Sequence, residues 1–523
     1  MNSLHRPFMK FIAILSMVVL LFCVTLTKGH SAGQAGQRQG ADKSKPPGCP
    51  DLSLEGFEKI DFAKITALQP NGISGLPCDA EAENGMSDAR SLQHGFDYYS
   101  WLTFLALNSP ASGHLIGRDE PTVWETYKQL PDVMRRDGKP PVDWVDSETN
   151  PPVGANKQLP LAGCPDANGR MIVRMDMEET YNQPFKSGPL IDQNGNYAVF
   201  VIFMNETMFE YINHNTLYNR EGQEAFPKKQ QALHQDPEID FPGGNKGKNM
   251  VGALMIKASW KLMSEGDLAK GNYHVIDGLL YRGPASCTPV KLGLIGFHVG
   301  HKTDSRQQWI WTTFEHHLNV PTQEDVASKI FEKDSYSFYK PGCSESDCPV
   351  NQTPDGPWDP DSRKWDLTHP IGFRSQIVRT GIDTSFDDSG TTTLHDDVKI
   401  LNDRFHKAPP IAGTVWANYD LITTQWPSGF PCASKKSPGK LPDPTCAPFP
   451  TYLANSTLET FSQPQHDGGV PLATSSCISC HNNATAKPPH NSKIQAMRSD
   501  FTYILEKACS TKENDPQENC KHD

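Results

Sequence analysis

Near its carboxyl end the chain reads SSCISCHNNA, which places Cys477, Cys480 and His481 in the order C-x-x-C-H. Two thiols and an imidazole at this spacing fit three chemistries: a covalently held haem, a structural zinc, or a redox dithiol that precedes a histidine. A c-type haem needs two thiols that each add to a vinyl group, and an imidazole that reaches the iron from the same backbone turn. C-x-x-C-H supplies both, with His481 as proximal iron ligand. Structural zinc takes four protein ligands, and no second C-x-x-C or H-x₃₋₅-H cluster stands nearby; His466 and His490 are the close extras. A thioredoxin-like dithiol opens a helix after a buried strand, and the preceding DGGVPLATSS does not read as that strand. Chance alone would produce about 0.01 such motifs in a chain of this composition. The reading is one covalent haem c bound by Cys477, Cys480 and His481.

The other side of the iron is less determined. Only 42 residues follow His481, too few to wrap a haem, so upstream segments must supply the opposite wall. Met497 lies 16 residues beyond His481; a thioether there would raise the potential and favour electron transfer, while ordinary core packing is the alternative. His298, His301, His316 and His317 fall in GFHVGHKTDSRQQWIWTTFEHH. Each could reach across as a distal ligand or a proton donor, and each could equally be a structural histidine. Glu125, Glu206, Glu210 and Glu315 show no pairing in sequence and default to solvated faces. No nucleophile elbow, zinc-binding H-E-x-x-H or phosphate-cradling glycine run is present, so catalytic residues are not assigned.

At the amino terminus Arg6 and Lys10 precede FIAILSMVVLLFCVTLT, and small residues follow in GHSAGQAG. This is the pattern of a secretory signal, with cleavage after Ala32 or Ala35; a retained anchor is the alternative. No later segment is apolar enough to span a membrane. Setting aside Cys23 in the signal and the two motif cysteines leaves ten of the 13. An even set in an exported chain suits disulfides. Spacing suggests Cys343–Cys348, Cys432–Cys446 and Cys509–Cys520. The formal charge is −12, and residues 1–32 carry three cations and no acid. An acidic mature chain disfavours nucleic acid and anionic lipid, and would suit a basic redox partner.

These groups must be held by the rest of the chain, which has 523 residues, 43 prolines and 40 glycines. GFDYYSWLTFLALNSP and PTVWETYKQLPDVM read as helices. RMIVRMD, NYAVFVIFMN, NMVGALMIKASWKL, NYHVIDGLLYRG, VKLGLIGFHVGHKT, QWIWTTFEHH and GTVWANYDLITTQW read as strands separated mostly by turns. PTYLANSTLETFSQPQ and SKIQAMRSDFTYILEKAC read as helices flanking the cysteine motif. The expectation is an α+β fold: a β-rich antiparallel sheet or sandwich with peripheral helices, plus a small helical cytochrome c-like haem segment. Its parts are a signal at 1–32, a polar linker and extension at 33–90, a β-rich domain at 91–450 and a haem segment at 451–523.

The stretches SWLTFLALNSP, VWETYK, MIKASWKLM, GLIGFHVGHKT, WIWTTFEHHLNVP, LANSTLETF and SDFTYIL, together with the haem motif, give a resemblance that spans most of the chain from about residue 95. On them it resembles a family of large exported bacterial proteins with one c-type haem motif near the carboxyl end, described as cytochrome c-like and without an established substrate. The resemblance carries a chemical role only to Cys477, Cys480 and His481. Small soluble cytochromes place the motif early and a ligand Met much later, and di-haem peroxidases carry a second motif; this chain does neither. The functional expectation is a periplasmic single-electron carrier working with a redox partner protein. The alternatives are a haem c oxidoreductase with an open iron beside a small-molecule site, and a haem-based ligand sensor.

Overall fold

A helix of nineteen residues, α1 (Ala89–Leu107), lies against the largest sheet of the molecule. Phe96, Tyr99, Trp101, Phe104, Leu105 and Leu107 are all buried, so α1 is a core helix with little solvated surface. It ends where Asn108 turns its side-chain amide back onto the Phe104 carbonyl and Pro110 follows. The computed structural model describes residues 75–80, 89–112, 116–144, 164, 170–184, 187–245, 248, 250–282, 286–331, 336–353, 358–359, 364–365, 374–380, 393–409, 411–427, 448–463, 476–486, 497–512 and 520. The expected signal, most of the linker, His466, His490 and the Cys432–Cys446 pair lie outside these residues.

Nine strands form one sheet. They are β1 (Lys128–Gln129), β2 (Met171–Arg174), β3 (Val199–Met204), β4 (Leu254–Leu262), β5 (Val275–Tyr281), β6 (Cys287–His301), β7 (Ile310–His316), β8 (Tyr419–Pro427) and β9 (Pro448–Phe449). Their order is β1-β3-β4-β6-β7-β8-β9, with β5 on the first half of β6 and β2 on β5. All pairings are antiparallel except β2 with β5. Each expected strand is found. The links from β5 to β6 and from β6 to β7 are too short for a crossover helix, which imposes antiparallel pairing at the centre of the sheet. The fold is α+β, with a single large, mostly antiparallel sheet and helices packed against it.

Register divides the sheet into two unlike faces, because directly paired residues share a face and neighbours alternate. One face carries Phe203, Ile256, Ala258, Phe297, Val299 and Phe314, and packs on α1 and α4 (Leu394–His406) in the main hydrophobic cluster. Phe104 stacks on Phe314 at 4.0 Å and Trp101 on Phe405 at 4.6 Å. Arg90 and Trp101 of α1 bond to Asp397 and Asn402 of α4. The other face carries the row Ile202, Lys257, His298 and Thr313, and beside it the row Met204, Met255, Gly300 and Trp311. Helices α2 (Glu206–His214) and α3 (Arg220–Ala232) and the carboxyl-terminal segment join the second cluster there. Residues on both sides of 450 share these clusters, since Tyr452 and Leu453 belong to the first and Ile478 and Leu505 to the second.

Local expectations around the motif need correction. Residues 450–463 are turns with one 3₁₀ turn at Thr460–Ser462, not a helix. Within 497–512 the ordered element is the 3₁₀ turn Tyr503–Lys507 rather than an α-helix. Both stretches spend their polar side chains on the sheet and on local backbone, which competes with helical hydrogen bonding. The stretch PTVWETYKQLPDVM breaks into a 3₁₀ turn, β1 and a single helical turn. Helices α2, α3 and α4 fall outside the expected elements. Among the described residues no helix is long and apolar enough to cross a membrane. Cys343–Cys348 and Cys509–Cys520 are disulfides as spacing suggested, and Cys164–Cys287 is a third.

Candidate functional site

The C-x-x-C-H stretch is itself the short helix α5 (Cys477–His481), capped by Ser476, whose hydroxyl accepts from the Ser479 N–H. One glutamine fastens it to the sheet. Gln425 of β8, paired with Trp311 of β7, accepts from Ser476 Oγ at 3.1 Å and from the Ile478 N–H at 2.9 Å. Its amide nitrogen donates to the Pro450 carbonyl at 2.7 Å. Ile478 is fully buried in the second cluster, while Cys477, Cys480 and His481 are half-buried, with Cys477 packed against both clusters.

His481 is held on two sides. Its Nδ1 donates to the Phe501 carbonyl at 2.8 Å, and its ring lies 4.3 Å from the Trp311 ring and 5.2 Å from Tyr503. Tyr503 in turn donates its hydroxyl to the Cys480 carbonyl at 2.9 Å. Burial, the largest influence, pushes the imidazole down to about 4, so at neutral pH it is uncharged. With Nδ1 carrying the proton, the lone pair sits on Nε2, which makes no hydrogen bond among the described residues. That is the state in which an imidazole binds a metal, with the second nitrogen fixed by a carbonyl.

Cys477 and Cys480 are free thiols. Burial pushes both up, Cys477 well above its ordinary value with Glu459 adding to the effect, while the Tyr503 hydroxyl partly offsets the rise at Cys480. Redox dithiols and zinc thiolates need the opposite shift. Among the described residues no group of three or more His, Cys, Asp or Glu side chains is arranged to hold a metal ion unaided. A free neutral thiol pair beside a tautomerically fixed imidazole fits haem attachment.

The sheet sorts the four candidate histidines. His298 alone faces the motif. Its Nε2–H donates to both Glu459 oxygens, at 2.8 and 2.9 Å. Gly296 and Gly300 flank it on the same face. A Cβ at Gly296 would collide with Thr457 and Ser259, and one at Gly300 would press on Met255 and Trp311. The glycines let the 455–459 loop and the Trp311–His481 stack sit close to the strand. His301 points to the opposite face, bonded to the Tyr99 hydroxyl, and burial pushes it down to about 3. His316 uses both nitrogens structurally, donating to Asn272 O at 3.0 Å and accepting from the Leu318 N–H at 3.1 Å. His317 follows it, 5.1 Å ring to ring.

Glu459, which sequence reading missed, is the acid of this site. The LANSTLETF loop builds it in. Asn455 donates to Thr313 and Phe314, Thr457 meets Ser259, and the Asn455 N–H reaches Glu459 at 3.1 Å. Burial alone would raise the Glu459 carboxyl, but His298, Lys257 and that N–H together hold it below its ordinary value. Lys257 is pushed down, by burial first, with Glu459 opposing. Two other carboxylates expected on solvated faces are buried and paired: Glu125 with His274 at 2.9 Å, and Glu315 with Arg379 at 2.8 Å and the Ser456 N–H at 2.6 Å. Met497 is half-buried in the second cluster, and its carbonyl accepts from the Ala486 N–H at 2.8 Å.

Compared with protein-family models, with curated proteins and with solved structures, the chain gives no match.

Proposed function

We propose that this chain is an exported, single-haem c-type cytochrome that passes one electron at a time to a partner redox protein. The observation that carries the reading is the state of His481: neutral, its Nδ1 proton committed to the Phe501 carbonyl, its Nε2 free, beside two unpaired thiols. When bound, haem c supplies a one-electron iron couple. Cys477 and Cys480 would hold it through thioether bonds and His481 would ligate from one side. The residues' own work is to orient the imidazole, keep it neutral, and exclude water with Trp311, Tyr503 and Ile478. Met497 and His298 are the candidates for the far side. Three disulfides among the described residues and the amino-terminal pattern support an oxidising, periplasmic setting.

A second reading, a haem c oxidoreductase with an open iron, draws on the His298–Glu459 pair, a proton-exchanging group facing the motif. One experiment tests both. The full chain, produced with the haem-attachment machinery, is expected to gain the mass of one haem that acid acetone does not remove. Cys477→Ala/Cys480→Ala is expected to gain none. Unmodified sulfurs in the parent chain would overturn both readings. Slow or absent cyanide and carbon monoxide binding supports the carrier, and rapid binding the oxidoreductase.

A further inference from the structure

The hydrogen bond that fixes His481 depends on a turn that ordinary residues avoid. Asp500 and Phe501 both adopt positive φ, at 50° and 64°. The left-handed region crowds the Cβ of any L-residue against its own backbone. Two in succession, one of them a bulky phenylalanine, persist only where surroundings over-determine them. The Phe501 carbonyl at this turn is the acceptor for His481 Nδ1–H.

What over-determines the turn is an ion triad built on a buried ammonium. Lys302, directly after β6 and 1% exposed, donates its ammonium to Asp240 at 2.6 Å and to Asp500. Asp500 also accepts from the Phe241 N–H at 2.8 Å. A lysine so buried is stable only while paired. Its pull on Asp500 therefore fixes the residue before Phe501 to both the end of a central strand and the 240–241 segment. Ser499 adds local bonds to the Ala484 and Thr502 carbonyls.

We propose that Lys302, acting through Asp500, is the positioning group for His481: it holds the Asp500–Phe501 turn left-handed so that the Phe501 carbonyl takes the Nδ1 proton and Nε2 stays free to ligate. The inference rests on the haem reading only for the purpose of that free nitrogen; the geometry is a property of the chain itself.

The test uses the full chain labelled with ¹⁵N-histidine, haem-loaded and reduced, and in parallel made without attachment machinery. Nitrogen shifts report the His481 tautomer, and proton exchange at Nδ1 reports the strength of the bond. Asp500→Asn is expected to speed Nδ1–H exchange by about two- to tenfold, as losing the net worth of one hydrogen bond implies, and, in the haem-free chain, to mix the tautomers. Lys302→Arg, which keeps the charge, is expected to leave both unchanged. Adding Phe501→Gly to Asp500→Asn is expected to restore the bond, because glycine enters the left-handed region without strain. A merely structural triad would show no such rescue. Should Asp500→Asn not fold, Lys302→Gln is read in the same way. A folded Asp500→Asn chain with an unchanged His481 signal, or a double variant without recovery, overturns the proposal. Absence of covalent haem, with the tautomer effects intact, would instead remove the functional reading and leave this one standing.

Discussion

The two faces of the central sheet use the same strands for opposite purposes. Toward α1 and α4 the strands present Phe297, Phe314 and their neighbours, locked by rings such as Phe104 and Trp101. The one ionisable histidine that this face holds on β6, His301, is kept uncharged. Toward the carboxyl-terminal segment the same strands present Lys257, His298 and Glu315, each matched to a partner on the overlying 455–459 loop, and Trp311, which meets His481 of α5. A single residue of offset along β6 separates the two characters. The difference teaches that area burial supplies stability on the first face, while the second spends part of it on charges held in place. Proteins tolerate that cost where chemistry is done.

The comparison breaks most visibly at Phe104. Truncating this buried ring to alanine is expected to cost about 3–5 kcal/mol, read as a lower denaturant midpoint, with the haem-linked properties of the remaining folded fraction unchanged. On the other face Trp311→Phe removes one ring and the Nε1–H bond to the Gln308 carbonyl, and is expected to cost about 1–3 kcal/mol. It removes part of the ring that lies over His481, so it is expected to alter the absorption spectrum of the loaded protein. If Phe104→Ala changed the spectrum and Trp311→Phe did not, the division of labour between faces would be wrong.

Acid sharpens the contrast. His301 is pushed down to about 3 by burial, from an ordinary value near 6.5. Between those values the unfolded chain binds a proton that the folded chain does not, so stability falls as pH drops. Asp97, on α1, runs the other way: burial raises it to about 7. Between the ordinary carboxylate range and that value the folded chain holds a proton that the unfolded chain has released, so its contribution is lost as pH rises through 7. Denaturant titrations from pH 7 to 4 are expected to show His301→Gln losing up to about 3 kcal/mol less than the parent chain. Asp97→Asn is expected to steepen the acid loss. Equal slopes in all three chains would refute the assignment.

The apolar face was legible in the sequence because alternating β-branched and aromatic runs, and one densely apolar helix, leave few alternatives. The spacing of Cys477, Cys480 and His481 was legible for the same reason: local chemistry is written locally. What could not be read is long-range. Glu459 lies in a loop whose polar residues look like an exposed helix, and only the folded arrangement shows that Asn455 and Ser456 bond to β7. His298 could not be separated from His301 without knowing which face each meets. A signal was nonetheless present: Gly296, His298 and Gly300 alternate in GLIGFHVGH, the mark of a strand face that another backbone approaches.

The finest cut removes one charge and nothing else. Glu459→Gln keeps the shape and a hydrogen bond to His298 but deletes a carboxylate that acts electrostatically on Cys477, Cys480 and His481. With the proposed haem bound, a negative charge would favour the more positive, oxidised iron, so its loss is expected to raise the midpoint potential. At a separation on the order of 10 Å and an effective dielectric constant of about 20, the effect is roughly 1.7 kcal/mol, or about 70 mV for a one-electron couple. The carboxyl is held below its ordinary value, so its stabilising share is present above about pH 4.5 and lost as pH falls through the folded value. The potential difference between parent and variant is therefore expected to be constant near neutrality and to shrink in acid. Potentiometric titrations from pH 8 to 3 measure it; a difference near zero at neutral pH would mean that Glu459 is protonated in the folded chain and that the motif face carries no fixed negative charge.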